Sequence, residues 1–254
     1  MRRNQLLEIW ESGGSALNCF VSMTDVYGAE LLAHQGFDCL TVDLQHGFQD
    51  YPMLATQFTA ISTTPTVPLA RIRKLDEVDV VRVLDLGASG IICPLVNTQE
   101  DAEKLVRLAM YPPRGERSFG PHRQMLYSGQ DYPARANEET SLIAMIETQQ
   151  GLNNAEAIAA VDGIDCLYIG PADLSLNLGF SPGFEPDQPE MREAIATVLE
   201  ACKNRGKIAG IHCGSAAFAQ QMMAHGFRLV TVLNDAKLMA TAAQEVIEAI
   251  KGSS

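Results

Sequence analysis

Short apolar runs rich in Val, Ile, Leu and Cys recur along this chain, and each is followed by a stretch whose apolar residues repeat at helical spacing. This alternation constrains the fold most. A short run without polar interruption suits a strand buried on both faces, which is the condition of a parallel sheet covered by helices. The runs predict strands at 16–22, 39–43, 68–71, 90–94, 142–147, 166–169, 208–211 and 229–233. Eight strand–helix units point to an α/β chain folded as a (β/α)8 TIM barrel, one domain over residues 1–254. A doubly wound open sheet is the alternative, but no Gly-rich dinucleotide fingerprint follows the first strand.

With 254 residues, 46% of them apolar, one large core is affordable. The formal net charge of −12 argues against nucleic acid or an anionic membrane as partner, and an anionic substrate then has to be met by local cations or a metal. The opening MRRNQLLEIWESGG reads as a first helix, because Glu8 and Glu11 interrupt any signal-like apolar stretch. No apolar run approaches the ~20 residues of a membrane-spanning helix. The cysteines at 19, 39, 93, 166, 202 and 213 show neither CxxC pairing nor zinc spacing, so reduced, buried thiols in a cytoplasmic protein are expected.

In a parallel barrel the carboxyl ends of the strands converge on one rim, where sites are built. Two strands deliver carboxylates there, Glu147 and Asp173. Held close together they repel unless a proton or cation lies between them, so they can share a hard divalent ion, Mg2+ or Mn2+, with Co2+ also compatible; capping of the following helices is the alternative. In Asp43-Leu44-Gln45-His46-Gly47, His46 is placed as a proton carrier or as a loop residue bonded to a carbonyl. Arg71 ends the third strand, where a guanidinium can stabilise a developing enolate oxygen; Arg73 suits a surface ion pair with Asp76 or Glu77. Gly170-Pro171-Ala172 opens a helix whose free N–H groups at Ala172 and Asp173 suit a carboxylate. His212 follows the seventh strand as a substrate-pocket residue, while His34 and His225 read as helix C-terminal residues ahead of Gly. Residues 111–139 form one long irregular segment with four arginines, suited to carboxylate or phosphate recognition.

The stretch LIAMIETQQGLNNAEAIAAVDGIDCLYIGPADLSLNLG resembles the core signature of the HpcH/HpaI aldolase family, the class II, metal-dependent pyruvate aldolases, and the resemblance runs from Asp43 to the last strand. It implies a lyase that cleaves a 4-hydroxy-2-oxo acid reversibly to pyruvate, or a close 2-oxo acid, and an aldehyde. Glu147 and Asp173 are then the metal ligands, the N–H groups of Ala172 and Asp173 hold the substrate carboxylate, and Arg71 contacts the keto oxygen. Asp85 orients His46 as its partner in proton transfer. The segment YPPRGERSFG resembles the family's YPPxGxRxxG loop, with Arg117 near the substrate at a subunit boundary, and it implies a homo-oligomer, trimers paired into hexamers, with residues 236–250 as a packing element.

Two positions depart from the family pattern: Gln45 stands where Glu is more common, and Met145 where Gln is usual. Three further readings stay open. The same site can serve a lyase acting on a malyl-CoA-type thioester, a 2-oxo acid decarboxylase, or a non-catalytic 2-oxo acid binding protein. A Schiff-base mechanism is weaker, because no lysine ends a strand and Lys74, the nearest, precedes an acidic helix start.

Overall fold

The structure, a computed structural model, describes residues 2–252. Its strands are β1 (Ala16–Val21), β2 (Cys39–Asp43), β3 (Val67–Arg71), β4 (Gly90–Cys93), β5 (Ser141–Ile146), β6 (Cys166–Ile169), β7 (Ile208–Cys213) and β8 (Leu229–Asn234). Each pairs in parallel with the next, and β8 returns to pair with β1, closing the barrel. The (β/α)8 expectation therefore holds, with strand ends within a residue or two of those read from the sequence.

Alternation along the strands sorts residues into two packed layers. One set, with Leu40, Val42, Ala70, Ile91, Leu142 and Leu167, faces the surrounding helices. The other, with Phe20, Leu69, Ile92, Ile143, Met145 and Tyr168, fills the barrel. Within that interior a small polar layer is satisfied internally: Asn18 donates to Thr231 at 2.9 Å and accepts from Thr41 at 3.1 Å. The lower end is sealed by the first helix, Gln5–Glu11, which buries Leu6 and Trp10; the Trp10 indole donates to the Arg228 carbonyl at 2.9 Å. Burying an apolar side chain of that size contributes roughly 1.5–3 kcal/mol, so the plug adds to the barrel's core as well as covering it.

Two local expectations change. Residues 111–139 are not irregular throughout: helices His122–Ser128 and Tyr132–Glu139 lie within them. Pro121 and Pro133 stand at or next to the starts of these helices, where a missing N–H costs nothing. The helix expected over 151–161 is two short ones, Gln149–Asn153 and Ala155–Ala159, parted at Asn154, whose side chain donates to the Asn97 carbonyl at 2.8 Å. The six cysteines are free and buried, and no helix among the described residues is long and apolar enough to cross a membrane.

Candidate active site

A cavity of about 610 Å3 opens at the carboxyl ends of the strands. Inward parity brings side chains to it from around the ring: Phe20 from β1, Asp43 from β2, Arg71 from β3, Met145 from β5 and His212 from β7. Asp173 and His46 reach it from the loops that follow β6 and β2.

Neither candidate carboxylate acts as a helix cap. The side-chain cap after β5 is Thr148, which accepts from the Gly151 N–H, and the helix after β6 is capped by Gly170 with no side-chain bond. Glu147 is buried, and one of its oxygens accepts from the Leu95 N–H at 2.8 Å. Leu95 holds that N–H in place with a left-handed backbone, φ 54°, a conformation a leucine rarely adopts outside functional sites. Burial, and secondarily the nearby charge of Asp173, push the Glu147 carboxyl up to about 7, against the opposing pull of the Leu95 N–H and Arg71. Asp173 itself is exposed to the cavity. Gly170 packs closely here: a Cβ would lie 3.0 Å from a Glu147 oxygen and would displace the Met145 methyl.

A buried carboxylate whose charge is disfavoured by an acidic neighbour, with an all-oxygen donor set, fits a hard divalent cation. Among the described residues no cluster of three or more His, Cys, Asp or Glu side chains is set to hold a metal, so water and substrate would complete the coordination of an ion at this pair.

Arg71 is held from both sides. Its Nε and Nη2 donate to the two oxygens of Asp43 at 2.8 and 2.7 Å, and its guanidinium lies 4.8 Å over the Phe20 ring. The same Asp43 accepts from the N–H groups of Gln45 and His46, at 3.1 and 3.3 Å, shaping the turn that carries His46 into the cavity wall. One buried carboxylate thus fixes both residues, a role the sequence reading did not assign to it. Its signal was available: an acid ending a strand on the inward parity set by Thr41. Arg73 pairs with Asp79 and Tyr51, not with Asp76 or Glu77 as expected, because the strand ends at Arg71 and the following turn lays Arg73 on the next helix.

In the first turn after β6, Ala172 and Asp173 present N–H groups without backbone partners, the first intrahelical bond running from the Leu174 N–H to the Gly170 carbonyl. His212 packs between Phe184 and Phe20, at ring centroid distances of 4.7 and 5.2 Å. Burial, and then the positive charge of Arg71, lower it to about 4, so it stands neutral near pH 7. Gln45 has a buried side-chain oxygen with no protein donor.

Two expected site residues lie elsewhere. Asp85 ends the helix that returns from the rim toward the start of β4, which puts it at the amino ends of the strands, opposite His46. There it accepts from Arg117 at 2.9 Å, and Arg117 also donates to the Tyr132 hydroxyl at 3.0 Å and stacks 4.5 Å from the Tyr111 ring. Within one chain, then, Asp85 does not orient His46 and Arg117 does not reach the cavity. A family motif tells which residues matter, but not which end of the barrel each occupies in its own chain.

A parallel barrel with acids, a histidine and a held arginine toward its mouth is a catalytic arrangement suited to a small anionic substrate. Residues 17–242 match the HpcH/HpaI aldolase/citrate lyase family model. The chain is 40% identical to a hydroxypyruvate/pyruvate aldolase of Rhizorhabdus wittichii, over 96% of this chain and 97% of that one. It is 33% identical to a 4-hydroxy-2-oxo-heptane-1,7-dioate aldolase of Klebsiella pneumoniae, over 95% and 91%. Among solved structures, an HpcH/HpaI aldolase/citrate lyase family protein from Burkholderia cenocepacia J2315 superposes with a TM-score of 0.91 at 32% identity, over 98% of this chain and 99% of that one. The chain belongs to the HpcH/HpaI aldolase/citrate lyase family, and it is an enzyme, a carbon–carbon lyase of the aldolase kind.

Proposed function

We propose that this enzyme cleaves a 4-hydroxy-2-oxo acid reversibly to pyruvate, or a close 2-oxo acid, and an aldehyde, with Mg2+ or Mn2+ held by Glu147 and Asp173. The observation that carries this reading is that Asp173, Arg71 and His46 line one cavity, with the buried Glu147 close enough to feel the charges of both Asp173 and Arg71. When bound, the cation supplies Lewis acidity toward the 2-oxo acid. The N–H groups of Ala172 and Asp173 take the substrate carboxylate, and Arg71, pre-set by Asp43, donates to the keto oxygen. In cleavage His46 removes the proton of the C4 hydroxyl, directly or through a water, and the C3–C4 bond breaks. The aldehyde leaves, and the electron pair remains as an enolate whose oxygen faces the Arg71 guanidinium; protonation at C3 gives pyruvate. Met145 makes this wall apolar where the family more often has an amide.

Aldol cleavage assayed with and without EDTA tests the scheme: full turnover in chelator, or borohydride trapping of substrate on the protein, would reject it. Exchange of pyruvate methyl protons in D2O with Mg2+ separates an enolising enzyme from a protein that only binds 2-oxo acids.

We infer further that the chain works in the cytoplasm as a homo-oligomer, a trimer or hexamer. In support, the 17-residue helix Asp235–Lys251 buries only Asp235 against its own barrel, while Met239, Val246, Ile247 and Ile250 are exposed. In such an assembly Asp85 and Arg117 serve a site only when a neighbouring copy supplies them. Light scattering reads the mass, and a single-chain species with full activity rejects the assembly.

A further inference from the structure

The cavity has a second, chemically distinct end. Beyond Arg71 and His46 its wall is completed by Leu233, Asn234 and Lys237, delivered by the end of β8 and the first turn of the helix Asp235–Lys251. Asn234 caps that helix, its side-chain oxygen accepting from the Lys237 N–H at 2.8 Å, so the amide NH2 group is the part left for a ligand. The Lys237 ammonium makes no hydrogen bond or ion pair among the described residues. The other permanent cation on the wall, Arg71, is already engaged by Asp43.

A lysine in the first turn of a helix opposes the helix dipole, so its own element gives no reason for it to be there. Nor does the acid two residues before it claim it: Asp235 accepts from Ser22, through N–H and hydroxyl, and from the N–H groups of Met23 and Ala236. The wall also carries uncharged surface, with Phe20 and Phe184 each packed against the neutral His212. A substrate in the cavity would therefore meet Asp173 and Arg71, aromatic surface, and at Lys237 a cation not yet engaged by any acid.

We propose that Lys237, assisted by Asn234, binds a terminal oxyanion, carboxylate or phosphate, on the aldehyde half of the substrate, so that the enzyme selects anionic over neutral acceptor aldehydes. This rests on the aldol reading of the same cavity. On a chain with a net charge of −12, such an aldehyde is repelled at long range and needs a local cation to be held.

The experiment is aldol addition from pyruvate and Mg2+ with matched acceptors, succinic semialdehyde against butanal and glyceraldehyde 3-phosphate against glyceraldehyde, on wild type, Lys237→Met and Lys237→Arg. The wild type should favour at least one anionic member over its neutral partner by roughly tenfold or more in kcat/KM. That ratio should collapse toward one in Lys237→Met, persist in Lys237→Arg, and shrink between roughly 50 and 500 mM salt, because an exposed charge pair is screened. Which pair shows the preference identifies the oxyanion. Ligand-observed NMR of succinic semialdehyde and glyceraldehyde 3-phosphate on the same three proteins gives the parallel binding readout: loss of both in Lys237→Met supports the assignment, and equal binding overturns it. Equal ratios in wild type and Lys237→Met also overturn it. Absence of any aldol product from any acceptor would instead remove the reading of the reaction, with the NMR comparison still deciding on Lys237.

Discussion

The Asp43 carboxylate grips Arg71 through both oxygens, at 2.8 and 2.7 Å, with both side chains almost wholly buried. Removing one partner of such a pair leaves an uncompensated buried charge. Asp43→Ala should therefore cost about 3 kcal/mol of stability, read from urea unfolding. It should also lower kcat by roughly 100-fold, because Arg71 and the His46 turn lose their common anchor. A variant with normal stability and turnover would show that the pair is incidental.

Arg71 itself offers a sharper kinetic test. Arg71→Lys keeps a charge but cannot bond Asp43 with two parallel N–H groups and still face the cavity. A loss of roughly 100- to 1,000-fold in kcat, with a smaller change in KM, is expected if the guanidinium acts on charge that develops during bond breaking. Steady-state kinetics of cleavage decide it.

How far the sequence reaches is visible in these residues. The eight strands were legible because burial on both faces removes polar residues, and Arg71, Glu147 and Asp173 were legible because each stands where an apolar run or its following turn meets the rim. Asp43 was passed over because an acid at a strand end has no partner until the register places Asp43 beside Arg71. The far-end pairing of Asp85 with Arg117 was hidden because it joins residues 32 apart, one of them inside a segment read as irregular. The left-handed Leu95 left no trace, since nothing in a leucine announces its backbone angle.

Glu147 and Asp173 should be separable from catalysis by metal titration. Isothermal titration with Mn2+ should show affinity reduced by tenfold or more in Glu147→Gln, because the neutral amide loses both charge and one good oxygen donor. Removing the buried charge should at the same time leave the metal-free variant at least as stable as wild type near pH 8, read as Tm. Unchanged Mn2+ affinity would move the metal away from this pair.

At the other end of the barrel, Arg117 has a fully buried side chain whose charge is met by Asp85. Asp85→Ala should cost about 3 kcal/mol by stranding that guanidinium, and Asp85→Asn should recover part of it by keeping an acceptor for Nη2. Urea midpoints of the two variants should therefore fall in the order wild type, Asn, Ala. Equal midpoints would show that Tyr132 and the Tyr111 ring suffice to hold Arg117.

His212 predicts a pH dependence with a definite sign. In the folded chain burial and Arg71 lower it to about 4, against an ordinary value of 6.5. As pH falls below 6.5 the unfolded chain therefore takes up a proton that the folded chain refuses, and stability drains away until the folded imidazole itself titrates near 4. Because the ring is partly exposed, the loss should be on the order of 2 kcal/mol, less than the full shift implies. His212→Leu carries no such proton. Its stability relative to wild type should rise steadily between pH 6.5 and 4, measured by urea unfolding at closely spaced pH values. Parallel stability curves for the two proteins would mean that His212 is as free to ionise in the fold as in the unfolded chain, and that its contacts with Phe20 and Phe184 do not shield it.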